Sequence, residues 1–421
     1  MRHVIVLGAG VVGVTTAWYL RQEGFEVTVV DRRPLPASET SYANGGQISV
    51  SHAEPWAHPG APRQILAWLL RDDAPLLFRP HLDLAQWEWC LGFLRECLPG
   101  RAARNTAANV ALGLYSRAAL AALTDQLGLE YSRQKRGILQ IFTGAEALRR
   151  AAQSIGPMRD LGCEVRMVTR GEALAIEPAL SRNQLPIVGG TWAEADFSGD
   201  AKLFTRALAA KAAAAGVVFR MDGEIERIEA ESGRIAGVTI RDAEGGYERL
   251  TADDYVLCLG PQSRAMAYGL GLRLPIYPAK GYSITLPIED ESLAPHASIT
   301  DEAHKIVFSR LGNQLRAAGT AELAGYGKHL NPTRVAAILN RTLEYFPGLG
   351  DPAKARAWTG LRPATPSNVP LIGPSRIEKL YLNTGHGTLG WTHACGSARA
   401  LSSIMAGRGE PISFPFLRDA R

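Results

Sequence analysis

A chain of 421 residues exceeds what one hydrophobic core commonly supports, so the sequence predicts two domains. Hydrophobic residues make up 46% of the chain and charged residues 21%, proportions typical of a globular protein, which excludes a disordered one. The net charge of +5 is spread along the chain without a nucleic-acid-binding motif, so nucleic acid is not an expected partner.

The five cysteines are odd in number and widely spaced, and none of them forms a C-x-x-C pair. We therefore expect no metal site and no redox dithiol, and reduced thiols indicate a cytoplasmic protein. The apolar run at residues 4–7 ends at Gly8, and we interpret it as a strand rather than as part of a signal peptide. No apolar stretch of about 18 residues occurs, which excludes a membrane-spanning helix.

The N-terminal segment predicts a strand at residues 4–7, a glycine-rich turn, a helix to about residue 23 and a second strand at residues 26–30. The glycine spacing G-x-G-x-x-G allows a tight turn, close approach of a pyrophosphate to the backbone, and packing of the helix on the strand. The turn residues expected at the phosphates are Gly8, Ala9, Gly10, Val11, Val12 and Gly13. The sequence therefore predicts a dinucleotide-binding βαβ unit, the alternative being a structural glycine turn.

Asp31 ends the second strand, where a carboxylate accepts hydrogen bonds from the adenosine ribose. Arg32 and Arg33 follow, and two cations would also attract the 2′-phosphate of NADP. Asp31 would repel that phosphate, so NADP is the less favoured alternative. We expect both Asp31 and Arg32 to contact the cofactor.

The middle of the chain alternates between helical and strand patterns. Residues 38–62 are rich in turn-forming residues and predict a long loop, whereas residues 64–130 have apolar residues at helical spacing. A helix at residues 201–215 precedes a β-meander and then an apolar strand at 255–260 that suits a buried parallel sheet. Further strands are predicted between residues 275 and 320.

The C-terminal part repeats the glycine spacing of the N-terminal turn. The segment follows a predicted strand at residues 381–383 and precedes a helix that ends near residue 405, which leaves too little chain for a second βαβ unit. Its residues are Gly385, His386, Gly387, Thr388, Leu389 and Gly390. A helix start of this kind would stabilise negative charge on the pyrimidine end of a flavin. The alternative is a plain strand–helix turn.

Together these segments resemble the D-amino-acid oxidase and glycine oxidase superfamily of flavoproteins. The matching segments are residues 4–31, 39–49, 55–56, 277–283, 358–363 and 383–396. The resemblance implies non-covalent FAD and a fold that combines α/β and α+β parts. A Rossmann-like FAD-binding domain with a parallel sheet and a β-meander would be interleaved with a substrate-binding domain built on a mostly antiparallel sheet with helices. The implied boundaries are 1–60, 195–262 and 355–421 for the FAD-binding domain, and 61–194 and 263–354 for the substrate-binding domain.

By position, the resemblance also assigns cofactor contacts outside the two glycine-rich segments. In the loop after the βαβ unit these are Ser41, Ala43, Asn44, Gly45, Gly46 and Gln47. Ile225 would offer its backbone to the adenine, and residues 386–390 would cradle the flavin ring. Further expected contacts are Gly260, Trp358, Gly360 and Arg362.

The resemblance further implies that an arginine on a strand of the second domain holds the substrate carboxylate, and Arg310 occupies that place. A guanidinium gives a carboxylate two parallel charge-assisted hydrogen bonds; the alternative for Arg310 is a surface salt bridge. Tyr282, His52 and His386 would contact the amine or form the pocket wall, the alternative for each histidine being a structural role.

The sequence departs from the family pattern in two places. Residues 365–368 read Thr-Pro-Ser-Asn where relatives often have Thr-Pro-Asp-Gly, and Tyr42 and Gly45 replace common alanines. Both departures leave the identity of the substrate open.

The implied reaction is oxidative deamination of D-amino acids to 2-oxo acids and ammonia, by hydride transfer from the α carbon to flavin N5. Alternatives are oxidation of glycine, sarcosine or D-hydroxyproline, or a non-catalytic subunit that FAD stabilises. Electrons would pass to a quinone or another acceptor.

Apolar residues between positions 56 and 94 would form either a membrane-contacting surface or helix-packing core. They include Trp56, Trp68, Leu69, Leu70, Leu76, Leu77, Phe78, Trp87 and Trp89. The first option would place a cytoplasmic protein peripherally on the inner face of the cell membrane.

Overall fold

The computed structural model describes residues 1–68, 75–409 and 411–412, with the backbone alone for residues 66–68. Within this part of the chain the α-helices are α1 Val11–Gln22, α2 Ala61–Trp68, α3 Leu84–Glu96, α4 Pro99–Leu127, α5 Ala145–Asp160, α6 Arg170–Ile176, α7 Ala201–Ala214, α8 Ser263–Tyr268, α9 Pro332–Tyr345 and α10 Gly390–Met405. The strands are β1 His3–Leu7, β2 Glu26–Val30, β3 Gln47–Ile48, β4 Leu76–Phe78, β5 Ile138–Phe142, β6 Arg166–Thr169, β7 Gly189–Ala193, β8 Phe197–Ser198, β9 Val218–Arg220, β10 Glu224–Glu231, β11 Arg234–Arg241, β12 Tyr247–Leu250, β13 Asp254–Leu257, β14 Tyr277–Pro287, β15 Ser298–Asp301, β16 Ile306–Leu311, β17 Gln314–Leu323, β18 Arg356–Ala364, β19 Leu371–Pro374 and β20 Leu380–Thr384.

A six-stranded sheet has the order β19-β20-β13-β1-β2-β9. Its strands run parallel except β19, which pairs antiparallel with β20. One face of β1 packs on α1, α7 and α10, and the other face packs on the small sheet β10-β11-β12. Burial on both faces explains why the sequence of β1 is almost continuously apolar.

A nine-stranded sheet has the order β18-β14-β17-β16-β15-β5-β7-β6, with β4 paired to β17. The pairs β15–β5 and β17–β4 are parallel and the others are antiparallel. One face packs on α9 through Phe308, Ile284 and Ile338. Because side chains alternate along a strand, the neighbours of Phe308 on β16 point to the opposite face.

The predicted fold class is confirmed, since a mostly parallel sheet with a βαβ start and a β-meander is joined to a mostly antiparallel sheet with helices. The prediction that residues 64–130 are helical is wrong at β4, which pairs with β17 over Ala321–Leu323. Residues 69–74 lie outside the described residues. β18 pairs with β14 along nine residues of each strand, although the expected boundary placed residues 355–421 in the other domain.

Candidate active site

A cavity of about 2250 Å³ is lined by residues of both larger sheets and of the loops between them. Common small-molecule pockets measure roughly 300–1000 Å³, so this cavity has room for a dinucleotide and a second ligand. The predicted site residues that line it are Gly8, Ala9, Gly10, Val11, Val12, Asp31, Arg32, Ser41, Ala43, Asn44, Gly45, Gly46, Gln47, His52, Ile225, Gly260, Tyr282, Trp358, Gly360, Arg362, Gly385, His386, Gly387, Thr388, Leu389 and Gly390. Gly13 and Arg310 do not line it.

The N-terminal end of the cavity has the geometry of a dinucleotide site. α1 starts at Val11, and the first amides of a helix have no acceptors inside the helix, which suits them to phosphate oxygens. The Ala9 amide donates to Asp31 Oδ2 at 2.7 Å, which orders the turn against the end of β2. A Cβ added at Gly13 would overlap the Gly8 carbonyl oxygen. The third glycine therefore packs α1 on β1, and the residues present fit an adenine dinucleotide.

The two arginines after Asp31 are paired with an acid of the chain itself. Glu39 accepts ion pairs from Arg32 at 3.1 Å, from Arg33 at 2.5 Å and from Lys328. Burial acts to raise the pKa of Glu39, but hydrogen bonds from Lys328 and Arg33 overcome it and lower that pKa. Glu39 engages both arginines, but its single negative charge balances only one of these three cations, so NADP is disfavoured by the repulsion of a 2′-phosphate by Asp31.

The loop at residues 43–46 is held by side chains of the nine-stranded sheet. Ser283 donates to the Ala43 carbonyl at 2.8 Å, Ser309 donates to the Gly45 carbonyl at 2.7 Å, and Arg316 donates to the Asn44 carbonyl at 3.2 Å. These three donors come from β14, β16 and β17. They fix the loop that we expect to contact the cofactor against the sheet that forms the other wall of the cavity, so the site is ordered by both sheets together.

The C-terminal glycine segment closes the cavity between β20 and α10. His386 is buried, with Nε2 3.1 Å from Ser397 Oγ, and burial lowers its pKa to about 3. The ring is therefore neutral at physiological pH, and the helix start supplies the positive electrostatic end of this segment. His52 is similar: its Nδ1 lies 2.8 Å from Ser49 Oγ, and burial lowers its pKa. Both histidines serve as neutral walls of the cavity.

Arg310 lies on the face of β16 that points away from the cavity. It shares the side of the strand with Phe308, which packs in the core under α9, whereas Val307 and Ser309 face the cavity loop. Its guanidinium pairs with Glu291 and donates to the Gly312 carbonyl at 3.2 Å. The structure does not bring Arg310 to the other predicted site residues. Side chains alternate between the two faces of a strand, which puts Arg310 on the face opposite the cavity, and the resemblance did not specify this face.

The Tyr282 hydroxyl is also directed away from the cavity. It donates to Glu322 Oε2 at 2.5 Å, and Glu322 is in turn 3.3 Å from the buried Lys280 ammonium. Burial and the hydrogen bond to Glu322 raise the pKa of Tyr282 well above its ordinary value. The hydroxyl is thus engaged beneath the sheet, and residue 282 borders the cavity without offering this group to a ligand.

Arg362 brings an uncompensated cation into the cavity. Its Nη1 donates to the Thr320 carbonyl at 2.9 Å, and burial lowers its pKa to about 10. A Cβ added at Gly281 would lie 2.5 Å from Arg362 Cζ, so the guanidinium lies directly on the glycine of β14. No carboxylate of the described residues forms an ion pair with it. A buried cation without a counterion marks a site for an anionic group of a ligand.

Asn368 explains how the chain accommodates its departure from the Thr-Pro-Asp-Gly pattern. Its φ is 57°, a left-handed conformation that glycine adopts freely and that asparagine tolerates better than most residues. The side-chain oxygen accepts a hydrogen bond from the Trp56 amide at 2.9 Å. The asparagine thereby ties the cavity-lining Trp56 to the turn after β18.

The apolar residues between positions 56 and 94 divide into buried and exposed side chains. Trp89 and Phe93 are buried and stacked with ring centroids 5.4 Å apart, and Leu77 is buried as well. Trp87 and several leucines of α3 are exposed. The side chains of Trp68, Leu69 and Leu70 lie outside the described residues.

Within residues 1–68, 75–409 and 411–412, no three His, Cys, Asp or Glu residues are grouped so that they could hold a metal ion. In the same part of the chain, none of the helices combines the length and the apolar character that crossing a bilayer requires.

The sequence is similar to known proteins over its whole length. It is 54% identical over 416 residues to a D-amino acid dehydrogenase of Dechloromonas aromatica (strain RCB), covering 99% of this chain and 100% of the relative. It is 49% identical to a D-amino acid dehydrogenase of Paramagnetospirillum magneticum (strain ATCC 700264 / AMB-1), covering 97% of this chain and 96% of the relative.

Among solved structures, glycine oxidase from Bacillus cereus ATCC 14579 superposes with a TM-score of 0.73 at 21% identity, covering 97% of this chain and 96% of that one. L-proline dehydrogenase from P. horikoshii superposes with a TM-score of 0.73 at 18% identity, covering 99% of this chain and 96% of that one. At these identities the likeness concerns the fold. The family described as FAD dependent oxidoreductase (DAO) matches residues 3–404, and with relatives at 54% and 49% identity the chain belongs to this family.

Proposed function

We propose that the protein oxidises D-amino acids to 2-oxo acids and ammonia, with FAD as its cofactor. The names of the relatives at 49% and 54% identity support the choice of D-amino acids. The observation that carries the proposal is the guanidinium of Arg362, which lies in the cavity together with the expected flavin segment at residues 385–390.

An amino acid carboxylate is the ligand group that this guanidinium suits best. The Arg362 side chain has one donor engaged at Thr320 and retains further N–H groups in a planar fork. A carboxylate matches two parallel N–H groups and supplies the missing counterion. Arg362 therefore replaces Arg310 as the residue that we assign to the substrate carboxylate.

The residues around Arg362 position a substrate rather than transfer protons. Gly281 and Gly360 have no side chains, which leaves room for the Arg362 guanidinium over Gly281 and for the Trp358 ring over Gly360, both at the wall of the cavity. His52 and His386 are kept neutral by burial, so neither competes with Arg362 for the carboxylate. FAD would be held by the two glycine-rich segments at residues 8–13 and 385–390, and when bound it would supply the acceptor for the hydride of the substrate α carbon; water would then hydrolyse the resulting imine to the 2-oxo acid and ammonia.

Anaerobic reduction of the flavin tests this function. The FAD-loaded protein is mixed without oxygen with D- and L-amino acids, glycine, sarcosine and D-hydroxyproline, and loss of the oxidised flavin absorbance is recorded. We expect D-amino acids to reduce the flavin much faster than their L-enantiomers. Reduction by glycine, sarcosine or D-hydroxyproline alone, or by no compound, would contradict the proposal. Peroxide formed in air would indicate an oxidase rather than a dehydrogenase.

We further propose that α3 contacts a membrane surface from which an apolar quinone takes the electrons. Four apolar side chains follow one side of the helix at a spacing of three and four residues, Leu98 lies just beyond the end of the helix, and each of the five is between 46% and 74% exposed. This α3 stripe consists of Leu84, Trp87, Leu91, Leu94 and Leu98. An exposed apolar stripe of this kind is typical of interfacial helices.

Two further observations support the membrane rather than a protein partner. The exposed cations Arg95 and Arg104 lie beside the α3 stripe along the chain, as expected for contact with anionic headgroups. Trp87 and Leu94 of the stripe also line the cavity, as do Trp89 and Phe93 behind them. We infer that an apolar acceptor enters the cavity from the lipid beside these apolar side chains.

Vesicle binding tests this second proposal. The protein is sedimented with vesicles containing anionic lipid, and the double variant Leu84→Gln/Leu91→Gln is compared with Tyr247→Gln, which changes an apolar residue 71% exposed on the small sheet. We expect the α3 variant to lose vesicle binding and quinone reduction together while flavin reduction by substrate persists. Equal vesicle binding by both variants would contradict the membrane role of α3.

A further inference from the structure

A second charged group, Lys305, faces the cavity on the same sheet as Arg362. It lies in the turn between β15 and β16, on the cavity side of the sheet, and it lines the cavity together with Glu302, Gln140 and Glu54. The reaction as proposed needs none of these four residues. Their contacts therefore call for a separate role.

A chain of hydrogen bonds across neighbouring strands holds the Lys305 ammonium in place. Thr191 Oγ1 on β7 donates to Gln140 Oε1 on β5 at 3.1 Å, and Gln140 Nε2 donates to Glu302 Oε2 at 2.5 Å. The other oxygen of Glu302 accepts from Lys305 Nζ. An ammonium has three donors, so this contact leaves donors available to a ligand.

The Lys305 ammonium is accessible from the cavity. Burial lowers its pKa to about 8, against the attraction of Glu54 and Asp301. Its side chain is nevertheless 45% accessible, and the residue lines the cavity. An ammonium held in place by Glu302 forms charge-assisted hydrogen bonds with a ligand acceptor.

The position of Lys305 relative to Arg362 follows from the order of the strands. The Arg362 guanidinium reaches over Gly281 on β14 to the Thr320 carbonyl on β17. β16 is the next strand after β17, and Lys305 directly precedes it. Neighbouring strands are about 5 Å apart, so the backbone of Lys305 stands roughly one strand spacing from the Thr320 carbonyl, while its ammonium extends towards Glu302 and Gln140. A substrate side chain that extends from Arg362 along the sheet towards β15 therefore runs towards this ammonium.

Glu54 supplies an acceptor beside these donors. It lines the cavity, is exposed, and forms no ion pair with any residue that the structure describes. The nearby cation Arg150 is paired with Glu146 at 3.0 Å. The cavity therefore offers a ligand donors at Lys305 and an unpaired acceptor at Glu54.

We propose that Lys305 and Glu54 form a subsite for the substrate side chain that prefers a terminal carboxamide, as in D-glutamine and D-asparagine. The proposal rests on the proposed function, with Arg362 holding the α-carboxylate. A carboxamide presents its carbonyl oxygen to Lys305 and its N–H groups to Glu54. A carboxylate would be repelled by Glu54, and an alkyl or thioether chain would leave both charged groups without a ligand partner.

Selectivity between substrates of similar length tests the subsite. The ratio of kcat/KM for D-glutamine to that for D-methionine is measured for the FAD-loaded wild type and for Lys305→Met. We expect a wild-type ratio well above one and a fall of about 10- to 100-fold in the variant, the loss associated with a hydrogen bond to a charged group. D-Alanine, which has no polar side chain, reports general damage. A wild-type ratio near or below one, or an equal loss for D-alanine and D-glutamine, overturns the subsite.

Glu54→Gln tests the acceptor of the subsite separately from Lys305. The change is isosteric and Glu54 is exposed, so we expect the variant to fold normally. We expect the kcat/KM of D-glutamate relative to D-glutamine to rise about tenfold as the repulsion is removed. An unchanged ratio overturns the role of Glu54. If D-alanine also fails to reduce the flavin of the wild type, the proposed function itself is refuted, a result distinct from loss of selectivity alone.

Discussion

Replacing Arg362 by methionine separates the binding of substrate from the stability of the fold. Methionine keeps a long side chain on Gly281 but removes the cation that we assign to the substrate carboxylate. Removing one partner of a buried charge pair costs about 2–5 kcal/mol. Because about 1.4 kcal/mol corresponds to a factor of ten in rate, kcat/KM for a D-amino acid is expected to fall roughly 30- to 5000-fold.

The same substitution has a different effect on the protein without substrate. Burial lowers the pKa of Arg362 from 12.5 to about 10. A tenfold change in proton affinity corresponds to about 1.4 kcal/mol, so burying the charged guanidinium costs up to about 3 kcal/mol. The substitution removes this burial cost, but it also removes the hydrogen bond to the Thr320 carbonyl, which lowers the free energy of unfolding by about 1–3 kcal/mol. The free energy of unfolding should therefore change by little, or rise slightly, while activity collapses.

The assay combines anaerobic stopped-flow reduction of the flavin with denaturant unfolding of the substrate-free protein. Arg310→Met is the matched control, because Arg310 is also an arginine of the nine-stranded sheet but pairs with Glu291 outside the cavity. We expect this control to retain kcat/KM within about threefold, since an ion pair at the surface contributes only about 0–1 kcal/mol. Activity lost in the Arg310 variant and kept in the Arg362 variant would refute the assignment.

Three further outcomes are expected. Gly281→Ala places a Cβ 2.5 Å from Arg362 Cζ and should raise KM about tenfold or more by displacing the guanidinium, with the flavin spectrum retained; an unchanged KM would contradict the contact. Gly13→Ala should abolish FAD binding, measured as flavin per protein, because its Cβ overlaps the Gly8 carbonyl, whereas Gly100→Ala, with open space around it, should bind FAD normally. Burial lowers the pKa of His386 to about 3 and of His393 to about 4. Both stay neutral in the folded state, while the unfolded chain takes up protons below pH about 6.5. The free energy of unfolding should therefore be highest above that pH and fall as the pH drops towards 4, by about 1.4 kcal/mol per pH unit for each histidine. Denaturant unfolding at pH 7, 6 and 5 checks this, and His393→Gln should reduce the slope.

Local patterns were sufficient to predict the two glycine-rich segments that line the cavity. The spacing of Gly8, Gly10 and Gly13 reflects steric limits within one turn, and Asp31 closes the same unit of fewer than thirty residues. The C-terminal residues 385–390 were likewise predictable, because a strand–turn–helix is a local structure. All these residues except Gly13, which packs α1 on β1, line the cavity.

The substrate end was not predictable in the same way, because its residues meet through sheet pairing. The sequence named Arg310 from its place on a strand, but the face of β16 depends on which of its residues pack under α9. Arg362 was expected only as a cofactor contact, since nothing local shows that β18 pairs with β14 so that the guanidinium lies on Gly281. Lys305 and Glu54 carried no motif at all.

The sequence by itself determined the class of cofactor, the βαβ unit and the meander, because hydrophobic period and glycine spacing act over short stretches of chain. Only the tertiary structure decided which arginine enters the cavity, that the Tyr282 hydroxyl points beneath the sheet to Glu322, and that the α3 stripe is exposed. The physical reason is that a strand offers two faces of equal local plausibility. Burial of one face against distant elements, which local sequence does not specify, selects between them.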